Sequence, residues 1–270
     1  MEGWWTSPAP RAEAVARPQA NGAFAPSRLL VGARVLTVVF HHWSRQDPVV
    51  EREARELVAA MSRGYLRVVV EDAGEVRHVR GFVSAEPKIQ HRSPTVSTHS
   101  LIITCPDPVK YAGPGSDDEA LSGWELVTGR WGTAALGGAL FPLFDQAPRT
   151  DVSATSTPTA RFTETGLLNS LTCVNSGTEP TWPVLEADGP LEWAQWQLGE
   201  HVVRWQGAVP SGLTLRINTH IGHVTIGSDT VGTAQLVQDD YFQLAPGANV
   251  VSFSASDSTV WRVRWMSAWM

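Results

Sequence analysis

The sequence predicts a mainly β protein: a small antiparallel sheet or open barrel packed by one helix, then an all-β sandwich, a jelly roll. Three observations predict it. Helical periodicity occurs once, just after Asp47. Beyond Ala160 only short β-prone runs remain, separated by Gly, Pro, Asn or Asp at intervals suited to a sandwich. Residues 1–112 carry 14 basic and 11 acidic groups and residues 113–270 carry 7 and 16, so a net +3 is followed by −9. A chain of 270 residues exceeds what one hydrophobic core usually organises. The expected division is an N-terminal domain over residues 1–112, a connecting segment over 113–159 and a C-terminal sandwich over 160–270.

Along the chain, Gly3 to Arg34 is rich in Pro, Ala and Arg, with one apolar pulse at Leu29-Leu30-Val31, and reads as an extended arm with one short strand. Val35 to Phe40 is β-branched and apolar enough for a buried strand. Asp47-Pro48 then supplies an N-cap and a proline at the first helical position. Val50, Ala54, Leu57, Val58 and Met61 recur with helical spacing, and Gly64 ends the helix, placed at Pro48 to Arg63. Tyr65–Glu71 and Glu75–Val83 flank Asp72-Ala73-Gly74 as a β-hairpin. Val96 to Thr104 forms a further strand. Pro106 and Pro108 then bar a central strand, and the short Asp107 side chain is suited to bond the backbone of the turn it begins, which makes Asp107-Pro108 a structural terminator.

From Gly113 to Thr159 the composition loosens into a connection, with Pro114–Asp118 and Ser153–Pro158 as its flexible stretches. The sandwich strands are read as Leu167–Val174, Val184–Ala187, His201–Trp205, Leu213–Asn218, His223–Ile226, Val250–Ala255 and Val260–Met266.

Composition narrows the function classes. Hydrophobic residues at 43% and charged residues at 18% exclude a disordered or collagen-like polymer. No apolar stretch reaches the length of a membrane span, and no export signal is visible. Two distant cysteines, Cys105 and Cys173, exclude a disulfide framework and read as buried thiols. The acidic C-terminal part argues against general affinity for nucleic acid.

No catalytic, cofactor or metal grouping emerges. The histidine pairs His41-His42 and His220 with His223 lack the third and fourth ligands of a zinc site. Gly-x-Ser-x-Gly and phosphate-cradling glycine loops are missing from the sequence. Asp117-Asp118-Glu119 and Asp239-Asp240 read as solvated turn residues, since a glycosidase pair must face across a cleft.

Tryptophan is the unusual count, with nine of 12 after residue 113. Such rings suit a sandwich core, a protein interface or a sugar-stacking platform. Trp261, Trp265 and Trp269 recur at every fourth residue, and along Val260–Met266 the tryptophans share one face while Arg262 and Arg264 take the other. Trp261 and Trp265 are therefore assigned to the core.

Several phrases, in order, resemble the distal tail proteins (Dit) of long non-contractile-tailed bacteriophages and related minor tail proteins. They are Arg80-Gly81-Phe82-Val83 after the helix and hairpin, and Leu101–Tyr111 with its Asp107-Pro108-x-Lys110-Tyr111 ending, similar to the close of that family's N-terminal domain. Gly137–Phe144, Asn175–Leu185 with its Asn-x-Gly opening, Leu244–Phe253 with Pro-Gly-x-Asn, and Trp261–Trp265 complete the series, which spans roughly residues 47–265. The resemblance implies a galectin-like C-terminal sandwich and a structural virion protein of the tail tip or baseplate hub. Its N-terminal domains would form a homohexameric ring that joins the tail tube to tip and hub proteins and lets tape measure protein and DNA pass. It would be made and assembled in the bacterial host cytoplasm, with no cofactor, no enzymatic activity, no membrane and no sequence-specific nucleic acid. The alternative is a module of the tail that binds carbohydrate on the host surface.

Overall fold

The computed structural model describes residues 1–11, 15–17, 21, 23–24, 30–43, 48–93, 96–115, 123–131 and 169–270. The chain divides into two units, Met1–Asp117 with Trp269–Met270, and Asp118–Ala268. Leu29, Asp117-Asp118-Glu119, Gly137–Phe144 and the start of the strand expected from Leu167 lie outside the described residues.

In the first unit, β1 (Val15–Ala16) pairs with β2 (Ala23–Phe24). There follow β3 (Arg34–Trp43), α1 (Pro48–Met61), β4 (Tyr65–Asp72), β5 (Glu75–Val83), β6 (Lys88–Ser93), β7 (Val96–Cys105) and β8 (Lys110–Ala112). The sheet runs β8-β5-β7-β3, with β4 on β5 and β6 on β7, and every described pairing is antiparallel. One face buries Leu36, Val79, Leu101, Ile103 and Cys105 with Val58 of α1 and Trp4. The helix stops at Met61, where Ser62 Oγ bonds back to the Val58 carbonyl and the Arg63 N–H turns to Ala60. Asp72 pairs with Glu75, so the hairpin turn is only Ala73-Gly74, with φ of 49° and 85°. Two left-handed residues match the twist of the flanking strands, and glycine carries the second without strain.

The second unit is a sandwich. Its strands are β9 (Glu125–Trp131), β10 (Ser170–Asn175), β11 (Val184–Asp188), β12 (Leu191–Leu198), β13 (His201–Val209), β14 (Thr214–Asn218), β15 (His223–Ile226), β16 (Asp229–Val231), β17 (Leu236–Asp239), β18 (Gly247–Ala255) and β19 (Thr259–Trp265). One sheet has the order β10-β18-β12-β13-β17 and the other β16-β15-β14-β11-β19-β9. Their inner faces share one core, in which Phe253 of β18 stacks on Trp261 of β19 at 4.9 Å and touches Trp196 of β12 at 5.1 Å.

The structure departs from the sequence reading in several places. Residues 113–159 are assigned there to a connection, whereas Glu125–Trp131 form an edge strand on β19, anchored by a hydrogen bond from Trp131 Nε1 to the Ala255 carbonyl. Strands β6, β8, β12, β16 and β17 are missing from the sequence reading. The division at residue 112 becomes one in which residues up to 117, with Trp269 and Met270, belong to the first unit.

Candidate functional site

The phrase that closes the first unit is a knot of backbone-directed hydrogen bonds. Asp107 Oδ1 accepts from the Val109 N–H at 3.0 Å and Oδ2 from the Tyr111 hydroxyl at 2.7 Å. Arg34 is buried and donates to the Pro108 carbonyl at 2.8 Å through Nε, and through Nη1 to the carbonyls of Gly3, Trp4 and Thr6. Lys110 Nζ donates to the Trp4 carbonyl at 3.3 Å and lies 5.6 Å from that ring's centroid. Burial, with the positive charges of Arg34 and Arg77, pushes the Lys110 ammonium down to about 8. Burial and then the Asp107 charge raise the Tyr111 hydroxyl. Asp107, Pro108, Lys110 and Tyr111 are thus brought together, and their partners Arg34 and Trp4 escape a sequence reading because each is a single residue in a segment without periodicity.

The other phrases are also turn locks. A Cβ on Gly81 would meet the Thr104 carbonyl oxygen at 2.7 Å and Cys105 Sγ at 2.8 Å, so only glycine lets β5 pass β7 this closely. Asn175 Oδ1 accepts the Gly177 N–H at 3.0 Å while Nδ2 donates to the carbonyls of Glu179 and Leu244. Asn249 does the same for the turn before β18, through Ala245 and Gly247.

Trp261 and Trp265 are 0% and 2% exposed inside the sandwich. Trp265 Nε1 donates to the Val174 carbonyl at 3.2 Å, which satisfies the indole in the core. The thiols of Cys105 and Cys173 are buried, which pushes them up to about 11 and about 12. His41 bonds Thr98, His220 stacks on Trp182 and His223 bonds Thr230. Among the described residues no three His, Cys, Asp or Glu side chains converge on a metal-sized site, and no helix is long and apolar enough to cross a membrane.

Two surfaces stand out. On the outer face of the first unit's sheet, the register aligns Val35, Thr104, Phe82 and Tyr65 in one row across four strands. Tyr65 is 79% exposed and meets Phe82 edge to face at 6.0 Å, and Val39 and Val69 are exposed on the same face toward opposite ends of the sheet. On the second unit, Leu185 and Ala187 point into the core, so Glu186 and Asp188 lie on the outside of the sheet with Arg216, Arg262 and Arg264. Glu186 takes Arg216 Nη2 at 2.8 Å and Arg264 Nε at 3.0 Å. Asp188 receives both Arg262 Nη groups, at 2.9 and 2.8 Å, and the Thr214 hydroxyl at 2.7 Å. Burial pushes the Asp188 carboxyl up, but the hydrogen bonds from Arg262 and Thr214 outweigh it and leave it below its ordinary value. Glu186, Thr214, Arg216, Arg262 and Arg264 line a groove of about 360 Å3. The sequence reading finds Arg262 and Arg264 as outward residues and misses their carboxylate partners, although the alternation in Val184–Asp188 carries that signal.

Residues 176–269 match the family model of the siphovirus-type tail component, C-terminal domain. The fold is similar to that of SPP1 Dit, described as a paradigm of the hub adsorption apparatus in phages that infect Gram-positive bacteria. The likeness has a TM-score of 0.61 and 13% identity, over 98% of this chain and 90% of that one. It is also similar to a chain of the phage P2 baseplate in its activated conformation with Ca, with a TM-score of 0.50 and 8% identity over 95% and 89% of the two chains. None of the curated protein sequences matches the chain. Residues 176–269 thus carry the C-terminal domain of the siphovirus-type tail component family, and the chain shares the fold of SPP1 Dit over nearly its whole length.

Proposed function

We propose that this protein is a structural hub of a phage tail tip, built as a ring of identical chains that joins the tail tube to the components beyond it. The observation that carries the reading is the exposed apolar row on the outer face of the first unit's sheet. Val35, Phe82 and Tyr65 are exposed in one row across that sheet, the apolar and aromatic surface that interfaces use. In a closed ring each copy meets two neighbours through different patches, so one apolar face per chain is repeated around the annulus. A fold without a facing carboxylate pair, a nucleophile elbow or an activated thiol among its described residues suits a scaffold better than an enzyme. The SPP1 and P2 relatives, from a hub and a baseplate, support the same place in the particle.

The ring is taken to be a homohexamer, with tail tube protein, tape measure protein and tip proteins as its neighbours, in the virion after assembly in the host cytoplasm. Electron microscopy of the purified chain tests this. Annular particles with six-fold averages support it, and isolated monomers at micromolar concentration contradict it.

A further inference from the structure

Five of the chain's ten glutamines fall between residues 195 and 238, and strand register gathers three of them on one face of the sandwich. Ser254, Gln195, Arg204 and Gln238 stand opposite one another in a single row across β18, β12, β13 and β17, and Trp193 stands opposite Gln206 in the row beside it. Their neighbours along the strands, Ala194, Trp205 and Phe253 among them, are buried in the core, so both rows lie on the outer face of that sheet. The four-residue row carries one positive charge and no carboxylate, within residues 169–268 that hold nine carboxylates. Among the described residues no hydrogen bond or ion pair holds the Arg204 side chain. Its guanidinium lies 5.0 Å from the centroid of the Trp193 ring, and its Nε–H is shut off from water without an acceptor. The amides of Gln195, half-buried, and of Gln206 and Gln238, exposed, likewise bond to no described residue. Stability accounts poorly for this, since an orphaned donor costs free energy and an unbonded amide adds none. What the rows do supply is a set of free donors and acceptors held on rigid strands before any ligand arrives.

We propose that this face is a binding platform for a neutral oligosaccharide. Each glutamine amide presents a carbonyl acceptor beside an NH2 donor, the combination that adjacent hydroxyl groups of a sugar ring need, and does so without charge. Arg204 adds forked donors and Ser254 a hydroxyl. Trp193, with the guanidinium packed on it, supplies the apolar ring surface that the C–H side of a sugar covers. Three interstrand spacings give the row a length of about 14 Å, the reach of an oligosaccharide rather than of one sugar. A protein partner would need a desolvated apolar centre, and the centre here is amide and guanidinium. An anionic polymer would need more than one cation. The platform lies on the second unit alone, so it stands or falls apart from the proposed ring.

A glycan array probed with the full-length protein tests it, carrying di- to tetrasaccharides of glucose, galactose, rhamnose and N-acetylglucosamine beside glycans that bear uronate or phosphate. Neutral tri- or tetrasaccharides of at least one of these sugars should be retained. Calorimetric titration with the retained trisaccharide should then show binding at least about tenfold tighter than that of its monosaccharide. Gln195 and Gln206 hold no described residue in place, so the double variant Gln195→Ala with Gln206→Ala should keep the wild-type melting temperature while weakening that binding about tenfold or more. Retention of no neutral glycan, retention of the acidic glycans alone, a monosaccharide bound as tightly as the trisaccharide, or binding untouched by the double variant would each overturn the assignment.

Discussion

The Asp107 carboxylate holds the Tyr111 hydroxyl at 2.7 Å while its other oxygen caps the Val109 N–H, so one side chain fixes both the turn and the strand that follows it. Through Pro108 and Arg34 the same turn grips the carbonyls of Gly3 and Thr6. Loss of this carboxylate by Asp107→Ala should cost about 1–2 kcal/mol, the size of a lost cap plus a charged hydrogen bond. Tyr111→Phe should cost less, and the double variant less than the sum, because the two share one interaction. Denaturant unfolding of the four proteins measures the coupling.

The pH dependence of stability has a sign that separates Lys110 from the thiols. The folded Lys110 titrates near 8 against 10.5 when unfolded, so between these values the unfolded chain binds more protons and stability rises with pH. Cys105 and Cys173 are raised from 9.0 to about 11 and about 12, so their contribution is complete below pH 9 and declines above it. The window from pH 8 to 9 therefore isolates the lysine. Melting temperatures there should climb for the wild type and stay flatter for Lys110→Met.

Trp261→Ala and Trp265→Ala should each cost about 3–5 kcal/mol, since truncating a buried aromatic leaves a cavity and, at position 265, an unpaired Val174 carbonyl. Thermal melts decide it, and unchanged melting temperatures would remove both rings from the core.

How far the fold was legible follows from where local patterns were intact. Asp47-Pro48 with its apolar spacing, the Ala73-Gly74 turn and the strict alternation of β19 each carry their structure in adjacent residues. Strand β12 does not. Its register shifts between Leu191 and Trp193, so the buried Leu191 falls out of phase with the buried Ala194 and Trp196, and the period of two is broken. Strand β9 is hidden because an edge strand half-covered on one side needs little hydrophobicity. The groove is legible only in halves, since Glu186 and Arg216 are 30 residues apart and meet through strand register.

The strand β9 assignment has its own consequence. A fragment covering residues 123–268 should fold as a monomeric sandwich, whereas one starting at residue 160 lacks β9 and leaves the β19 edge and the Phe253 ring without Trp131. The shorter fragment should melt lower or aggregate, as light scattering and calorimetry will show.

The exposed row of the first unit is expected to join copies of this chain. Light scattering coupled to size exclusion measures it most directly, on the wild type and on Tyr65→Glu, whose ring is the most exposed of that row. The wild type should have a mass about six times the 29.3 kDa of one chain, and the Tyr65→Glu protein should keep its fold and run as a monomer. A monomeric wild type, or a variant that assembles unchanged, would contradict it.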